Sequence, residues 1–177
     1  MDGFMNKIKV LSRILSIFFT TIAISIPFVA FGFDWLVYTG SQYTFLGITI
    51  GATTKAIAQS LPEFILSYLI TLIPSSILVI CFGSLAYLFG LYANGLYFTK
   101  QNTRLYNWVG WSLIIHFFTT ILAIILNSIL LTGPNYNYNL NFSGLSFSDI
   151  LTGLVILCIS WVFHEANKIN AENQLTI

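Results

Sequence analysis

Four long apolar segments with almost no charge divide the chain. They run from about Ser12 to Phe33, from Phe64 to Tyr92, from Trp108 to Leu131 and from Leu145 to Phe163. A membrane-spanning helix needs about 20 mainly apolar residues, because the hydrocarbon layer is about 30 Å thick and each residue rises about 1.5 Å. The first three segments meet this length. In the fourth, the charge-free part is only Ile150 to Phe163, so Leu145 to Asp149 must complete the span at the interface.

The balance of apolar and charged residues excludes a soluble domain. Hydrophobic residues make up 56% of the chain, with seven basic and six acidic residues, and a soluble surface needs far more charge. In lipid, backbone polar groups must be paired within the segment, which favours helices. The sequence predicts an all-α membrane protein, a four-transmembrane-helix bundle in one domain, residues 1–177. The net charge of +1 gives no argument for direct binding of nucleic acid.

The basic residues predict the orientation of the chain. Six of the seven fall on one side of a four-span protein: Lys7, Lys9 and Arg13 before the first span, Lys100 and Arg104 in the inner loop 93–107, and Lys168 in the tail 164–177. Only Lys55, in the outer loop 34–63, falls on the other side. Basic residues in short loops stay in the cytoplasm, so both termini are predicted to be cytoplasmic.

The two outer loops, 34–63 and 132–144, differ in composition. In the first, Gly51 to Phe64 can form a short helix at the membrane interface, and the second is rich in asparagine and tyrosine. Packing at the interface explains both loops better than ligand binding, because aromatic and turn-forming residues are common at headgroup level.

Two polar residues inside the third span, His116 and Asn127, are candidates for function. Ionisable groups within a membrane often relay protons or bind ligands, but a hydrogen bond between helices is the favoured interpretation for both. His116 has no second histidine or carboxylate three or four residues away. Asp34, Glu63 and Asp149 are expected near the outer interface.

Catalytic motifs are not recognisable in the sequence. His164 and Glu165 begin like the zinc motif H-E-x-x-H, but Lys168 stands where the second histidine belongs. Cys81 and Cys158 lie in apolar runs, as buried thiols do. We therefore expect no enzyme activity, no metal and no cofactor.

Two polar segments carry a recognisable pattern. In the inner loop, G-x-x-F-x-x-x-N, followed by a further glycine, is matched by Gly95, Phe98, Asn102 and Gly110. In the tail, E-A-x-x-I-x-x-E-N-x-L-T-I is matched by Glu165, Ala166, Ile169, Glu172, Asn173, Leu175, Thr176 and Ile177. Together these residues resemble the domain-of-unknown-function family numbered 2975, small four-span bacterial membrane proteins. Tyr106 and the small number of basic residues in the loop depart from the family pattern.

The resemblance implies a location and a partner. It implies a multi-pass protein of the bacterial cytoplasmic membrane, in a family often encoded beside a helix-turn-helix regulator. The leading hypothesis is a non-enzymatic membrane protein that docks or regulates a cytosolic partner, with such a regulator as the implied one. The alternatives are a small transporter or channel subunit, which can be a homo-oligomer, and an accessory subunit packed in a larger membrane complex.

The end of the tail has two interpretations. Leu175 and Ile177 either pack against the Phe98–Tyr106 loop and lock this face of the bundle, or form a docking strip for another protein by strand addition.

The distribution of basic residues provides a test of the orientation of the chain in the membrane. A reporter fused after Ile177 is expected to be active only if it functions in the cytoplasm, because Lys and Arg resist translocation in short loops. Alkaline phosphatase and green fluorescent protein fusions measure the two outcomes. Phosphatase activity at this position would overturn the predicted orientation.

Overall fold

The computed structural model describes residues 2–39, 42–45, 48–51, 60–97, 99–131 and 147–174. Within these ranges the chain forms α1 (Asp2–Thr39), β1 (Gln42–Phe45), β2 (Ile48–Gly51), α2 (Leu61–Ala93), α3 (Lys100–Leu131) and α4 (Phe147–Gln174). All four helices are long and apolar enough to cross a membrane. The prediction of an all-α membrane protein is confirmed to the extent of four helices with the length and composition of membrane spans.

The helices are longer than the apolar segments from which they were predicted. α3 begins at Lys100, in the polar residues that precede the apolar run near Trp108, so the connection between α2 and α3 is a short turn. α4 continues eleven residues past Phe163 to Gln174. Both extensions consist of mainly polar residues directly next to an apolar run, before it in α3 and after it in α4, and no glycine or proline interrupts them.

Successive helices pack side by side in antiparallel order. Within the described ranges, α1 packs on α2, α2 on α3 and α3 on α4, whereas α1 and α4 do not pack against each other. The bundle is therefore open between its first and last helices. The start of α1, the α2–α3 turn and the end of α4 lie at the same end, which we call the basic end. The opposite end, with the strands, is called the hairpin end.

The contact between α1 and α2 is largely aromatic. Phe19 stacks on Phe82 and Phe89, with ring centroids 6.0 and 5.5 Å away. Near the hairpin end, Trp35 and Tyr38 pack around the buried ring of Phe64. Such pairs contribute about 0.5–1.5 kcal/mol each beyond the area they bury. Small residues meet at the same interface, where the Ser16 hydroxyl donates to the Ala86 carbonyl at 2.8 Å.

α3 and α4 are in close contact at two glycines. A Cβ atom added to Gly153 would lie 2.8 Å from the carbonyl oxygen of Gly110, and one added to Gly110 would lie 2.7 Å from the side chain of Leu157. Small residues at a crossing allow backbones to touch, which is how membrane helices gain packing without a hydrophobic driving force. Toward the basic end, buried Ser160 donates a hydrogen bond to the carbonyl oxygen of Thr103 at 2.9 Å.

This crossing leaves α4 displaced along α3 toward the basic end. Phe117 contacts Phe147 at the start of α4, while α3 runs on to Leu131. α3 thus extends about 20 Å beyond the start of α4, because each residue rises about 1.5 Å. The sequence led us to expect Asp149 at the hairpin end, but the displacement of α4 places it elsewhere.

The first outer loop contains an antiparallel hairpin that the sequence analysis missed. β1 pairs with β2 from Gln42–Gly51 to Phe45–Ile48, across the two residues Leu46 and Gly47. A pair of short β-branched and aromatic runs around a glycine-containing dipeptide is the sequence signal of a hairpin. The helix predicted over Gly51 to Phe64 falls mostly on residues outside the described ranges. Within them, Pro62 lies in the first turn of α2, where the Glu63 carboxylate accepts a hydrogen bond from the Ser60 amide at 2.7 Å.

The crossing of α3 and α4 at Gly110 and Gly153 provides a test of helix packing. Gly153→Ala should destabilise the protein by about 1–3 kcal/mol, because the added methyl group meets the backbone of α3 and forces the helices apart. Gly83→Ala is the matched control, since a Cβ there meets nothing within 4 Å and alanine favours the helix by up to about 1 kcal/mol. Thermal unfolding in mild detergent measures both; equal stability of the two variants would contradict the crossing.

Candidate functional site

The residues of the inner-loop pattern build the α2–α3 turn. Gly95 has φ +84°, a left-handed conformation that ends α2. Its amide donates to the Tyr92 carbonyl, and the Leu96 amide donates to the Leu91 carbonyl, both at 3.0 Å. This pair of bonds satisfies carbonyls at the helix end that otherwise lack partners. Glycine is the residue that most often takes this conformation after a helix, so the residue type itself marks the end of α2.

Asn102 clamps the same turn from the first turn of α3. Its side chain is 1% exposed, and Nδ2 donates to the carbonyl oxygens of Leu96 and Tyr97 at 2.8 and 2.7 Å. The Asn102 amide in turn donates to the Thr99 hydroxyl at 3.3 Å, so Thr99 caps the start of α3. The turn is therefore held in one geometry at the basic end.

The remaining pattern residues are distributed along α3 and α4. Gly110 lies at the helix crossing with Gly153, so its role is packing. Ile169 is 55% exposed near the end of α4, and Glu165 is half-buried. The backbone of Glu172 and Asn173 is helical. The side chain of Phe98 and residues Leu175, Thr176 and Ile177 lie outside the described part of the structure, as does the proposed lock between them.

Inside the bundle, His116 pairs with Asp149. Nδ1 of His116 lies 3.0 Å from Oδ2 of Asp149, and the side chains are 18% and 26% exposed. As a carboxylate, Asp149 only accepts hydrogen bonds, so this contact requires a form of His116 with a proton on Nδ1. Nε2 lies 3.5 Å from the Thr120 hydroxyl, which donates to the His116 carbonyl at 2.8 Å. The sequence prediction of a bond between helices did not identify its partner.

The pair lies deep between the two ends. Arg13 and Asp34 bound the apolar part of α1 and are about 30 Å apart along it, the thickness of a hydrocarbon layer. Contacts between α1 and α2 and between α2 and α3 relate positions on α3 to positions on α1. By this comparison, His116 lies roughly midway between Arg13 and Asp34 along the helix axes. Asp149 is only the third residue of α4, so α4 begins at this depth.

Cys81 and Ser112 extend the polar cluster toward α2. Cys81 is 2% exposed with a free thiol, and it lies near Ser112, one turn before His116. Ser112 donates to the Val109 carbonyl at 2.9 Å. These polar groups therefore lie on three helices, α2, α3 and α4, and the ionisable pair is formed by His116 and Asp149.

Other polar candidates are not brought to this cluster. Asp34 accepts a hydrogen bond from Ser67 at 3.4 Å, and Glu63 caps the start of α2, so the three acidic residues do not meet. Asn127 is half-buried, and its side-chain oxygen has no partner among the described residues. Across these ranges no group of three His, Cys, Asp or Glu residues comes together in a way that could hold a metal.

The four apolar helices indicate a multi-pass membrane protein. The family model described as "Protein of unknown function (DUF2975)" matches residues 52–177, and the chain belongs to this family. The match includes both polar segments, α2, α3 and α4. Comparisons with curated proteins and with solved structures found no match.

The His116–Asp149 contact yields a double-mutant cycle. His116→Ala and Asp149→Ala should show a coupling energy of about 0.5–2 kcal/mol, since each variant removes one partner of a single bond between helices. Unfolding in mild detergent measures the four stabilities. His116→Ala with Ser67→Ala is the control, because Ser67 bonds Asp34 on α1 instead, and its effects should add to within about 0.5 kcal/mol. Additivity in both cycles would contradict the contact.

Proposed function

We propose that this protein is a non-enzymatic protein of the bacterial cytoplasmic membrane that docks a cytosolic protein at its basic end. The observation that supports the proposal most is the extension of α4. Asn167 donates to the Thr103 hydroxyl at 3.1 Å, and α4 then continues to Gln174, about 10 Å further. Helical turns without a packing partner are marginal in water, so a bound protein would stabilise the part of α4 that continues past α3.

The surface beside this extension is suited to recognition. The α2–α3 turn is fixed by Asn102, so a partner that binds it loses little conformational entropy. Leu96 on the turn is 47% exposed and Ile169 on α4 is 55% exposed. Exposed apolar side chains among polar residues at a membrane surface are typical anchors of an amphipathic docking face. The resemblance to the family implies the class of this partner, a helix-turn-helix regulator.

A single apolar side chain provides the test. Ile169→Ser should weaken binding of a purified helix-turn-helix regulator of the proposed class by about 30-fold, the effect of losing one interface anchor, without changing thermal stability. Leu61→Ser is the matched control, because Leu61 is 58% exposed at the opposite end. Biolayer interferometry on the protein in nanodiscs measures both. Unchanged binding by Ile169→Ser, or equal loss in the control, would refute docking at the basic end.

Truncation after Ala171 separates the two interpretations of the tail within the same experiment. If Glu172–Ile177 form a docking strip, regulator binding is lost and thermal stability is kept. If they lock the basic end, thermal stability falls, by at most about 3–6 kcal/mol for two buried aliphatic side chains.

A second function, proton-coupled transport, is favoured by one observation. The His116–Asp149 pair lies about midway along the bundle, where ionisable groups commonly serve ion pathways. The variants of the His116–Asp149 double-mutant cycle distinguish proton transport from a purely structural hydrogen bond. A transport role requires that His116→Ala abolish proton flux in liposomes even where the protein remains folded, whereas a structural bond affects stability alone.

A further inference from the structure

A basic cleft lies between α3 and α4 at the basic end. It has a volume of about 440 Å³ and is lined by Lys100, Thr103, Arg104 and Asn107 of α3 and by His164, Asn167 and Lys168 of α4. The α3 residues recur at intervals of three and four, as do those of α4, so each set forms one stripe of its helix. The facing stripes bring three permanent positive charges and a histidine to one cavity.

These cations have no anionic partner in the described part of the chain. The ion pair found there is that of His116 with Asp149, and the described lining residues include no carboxylate. Lys100 is also the first residue of α3, where the helix dipole adds partial positive charge. Like charges held across a cavity repel one another, so a bound anion would stabilise this arrangement.

The cleft is preformed by contacts at its floor. Thr103 is 6% exposed, its hydroxyl accepts a hydrogen bond from Asn167, and its carbonyl accepts one from Ser160. These bonds fix the two helices on either side of the cavity. The side chains of Lys100, Arg104 and Lys168 need only close over an anion rather than assemble the site.

A second groove, partly lined by aromatic residues, adjoins the basic cleft. It is lined by Arg104, Asn107, Trp108 and Trp111, so it shares two residues with the cleft and continues along α3 away from the basic end. The two tryptophans are 53% and 55% exposed. α3 carries no Lys, Arg, Asp or Glu from Leu105 to Leu131, which places Arg104 at the polar boundary of the span. Tryptophan at such a boundary sits at headgroup depth.

We propose that the basic cleft binds the phosphate of an anionic phospholipid, whose acyl chain lies along Trp108 and Trp111. Lys100, Arg104 and Lys168 supply charge, and Arg104 can donate two parallel hydrogen bonds to phosphate oxygens. Thr103, Asn107 and Asn167 supply neutral polar groups at the same cavity. This assignment is independent of protein docking at the basic end, because the cleft lies between the helices and not on their projecting end.

Native mass spectrometry of the full chain, released from detergent with added phosphatidylglycerol or phosphatidylcholine, tests the proposal. Wild type should retain phosphatidylglycerol in preference to phosphatidylcholine. Arg104→Gln with Lys168→Gln should lose about 25-fold in that preference, about fivefold per basic residue. Arg104→Lys with Lys168→Arg should retain most of it, because the charge stays in place.

The matched control is Lys7→Gln with Arg13→Gln, which removes the same charge from α1 at the same end. It should change the preference by less than about twofold. An equal loss in this control would show attraction to the surface in general and overturn the site. So would undiminished preference in the cleft variant.

Two further arms complete the test. Inorganic phosphate at the lipid's concentration should not displace phosphatidylglycerol; displacement would show that the cleft takes free phosphate and would overturn the lipid assignment. If thermal unfolding shows that the double cleft variant is unfolded, Lys100→Gln replaces it, with an expected loss of about fivefold. Lys100 is exposed at the start of α3, and unchanged preference in that variant overturns the site equally.

Discussion

The approach of α3 and α4 at Gly110 and Gly153 determines where the polar groups of this protein meet. With no side chain on either residue, the two backbones touch, and the register of the helices is fixed at that point. One consequence lies about 10 Å toward the hairpin end, where His116 reaches Asp149. Another lies toward the basic end, where Ser160 and Asn167 both bond Thr103. A shift by one turn would separate all three contacts together.

The His116–Asp149 pair is the most costly feature of this arrangement. Removing an ionisable group from water without a partner costs several kcal/mol, and pairing recovers that energy only when the geometry is good. The displacement of α4 brings a carboxylate from the start of one helix to the middle of another. Such placement can serve to fix the register, or to hold a proton at this depth, and both uses depend on the same bond.

At the basic end, rigidity and charge come from different parts of the chain. Asn102 and Gly95 hold the α2–α3 turn through backbone carbonyls and carry no charge themselves. Lys100, Arg104 and Lys168 carry the charge and remain unpaired by carboxylates in the described ranges. A fixed turn beside a basic cleft allows a protein partner and a lipid headgroup to be recognised separately, since each uses different side chains.

The sequence by itself determined the class of fold. Apolar runs of about 20 residues leave helices as the means to satisfy the backbone in lipid, and Gly95 and Thr99 mark the ends of α2 and α3 because only certain residues suit those positions. The family pattern also pointed to Asn102 and Gly110. What the tertiary structure decided is the register between helices. Hydropathy averages over many residues and is insensitive to a shift along the helix axis, so it placed Asp149 at an interface. Packing at Gly110 and Gly153 places it beside His116 instead, because contact between backbones depends on individual atoms.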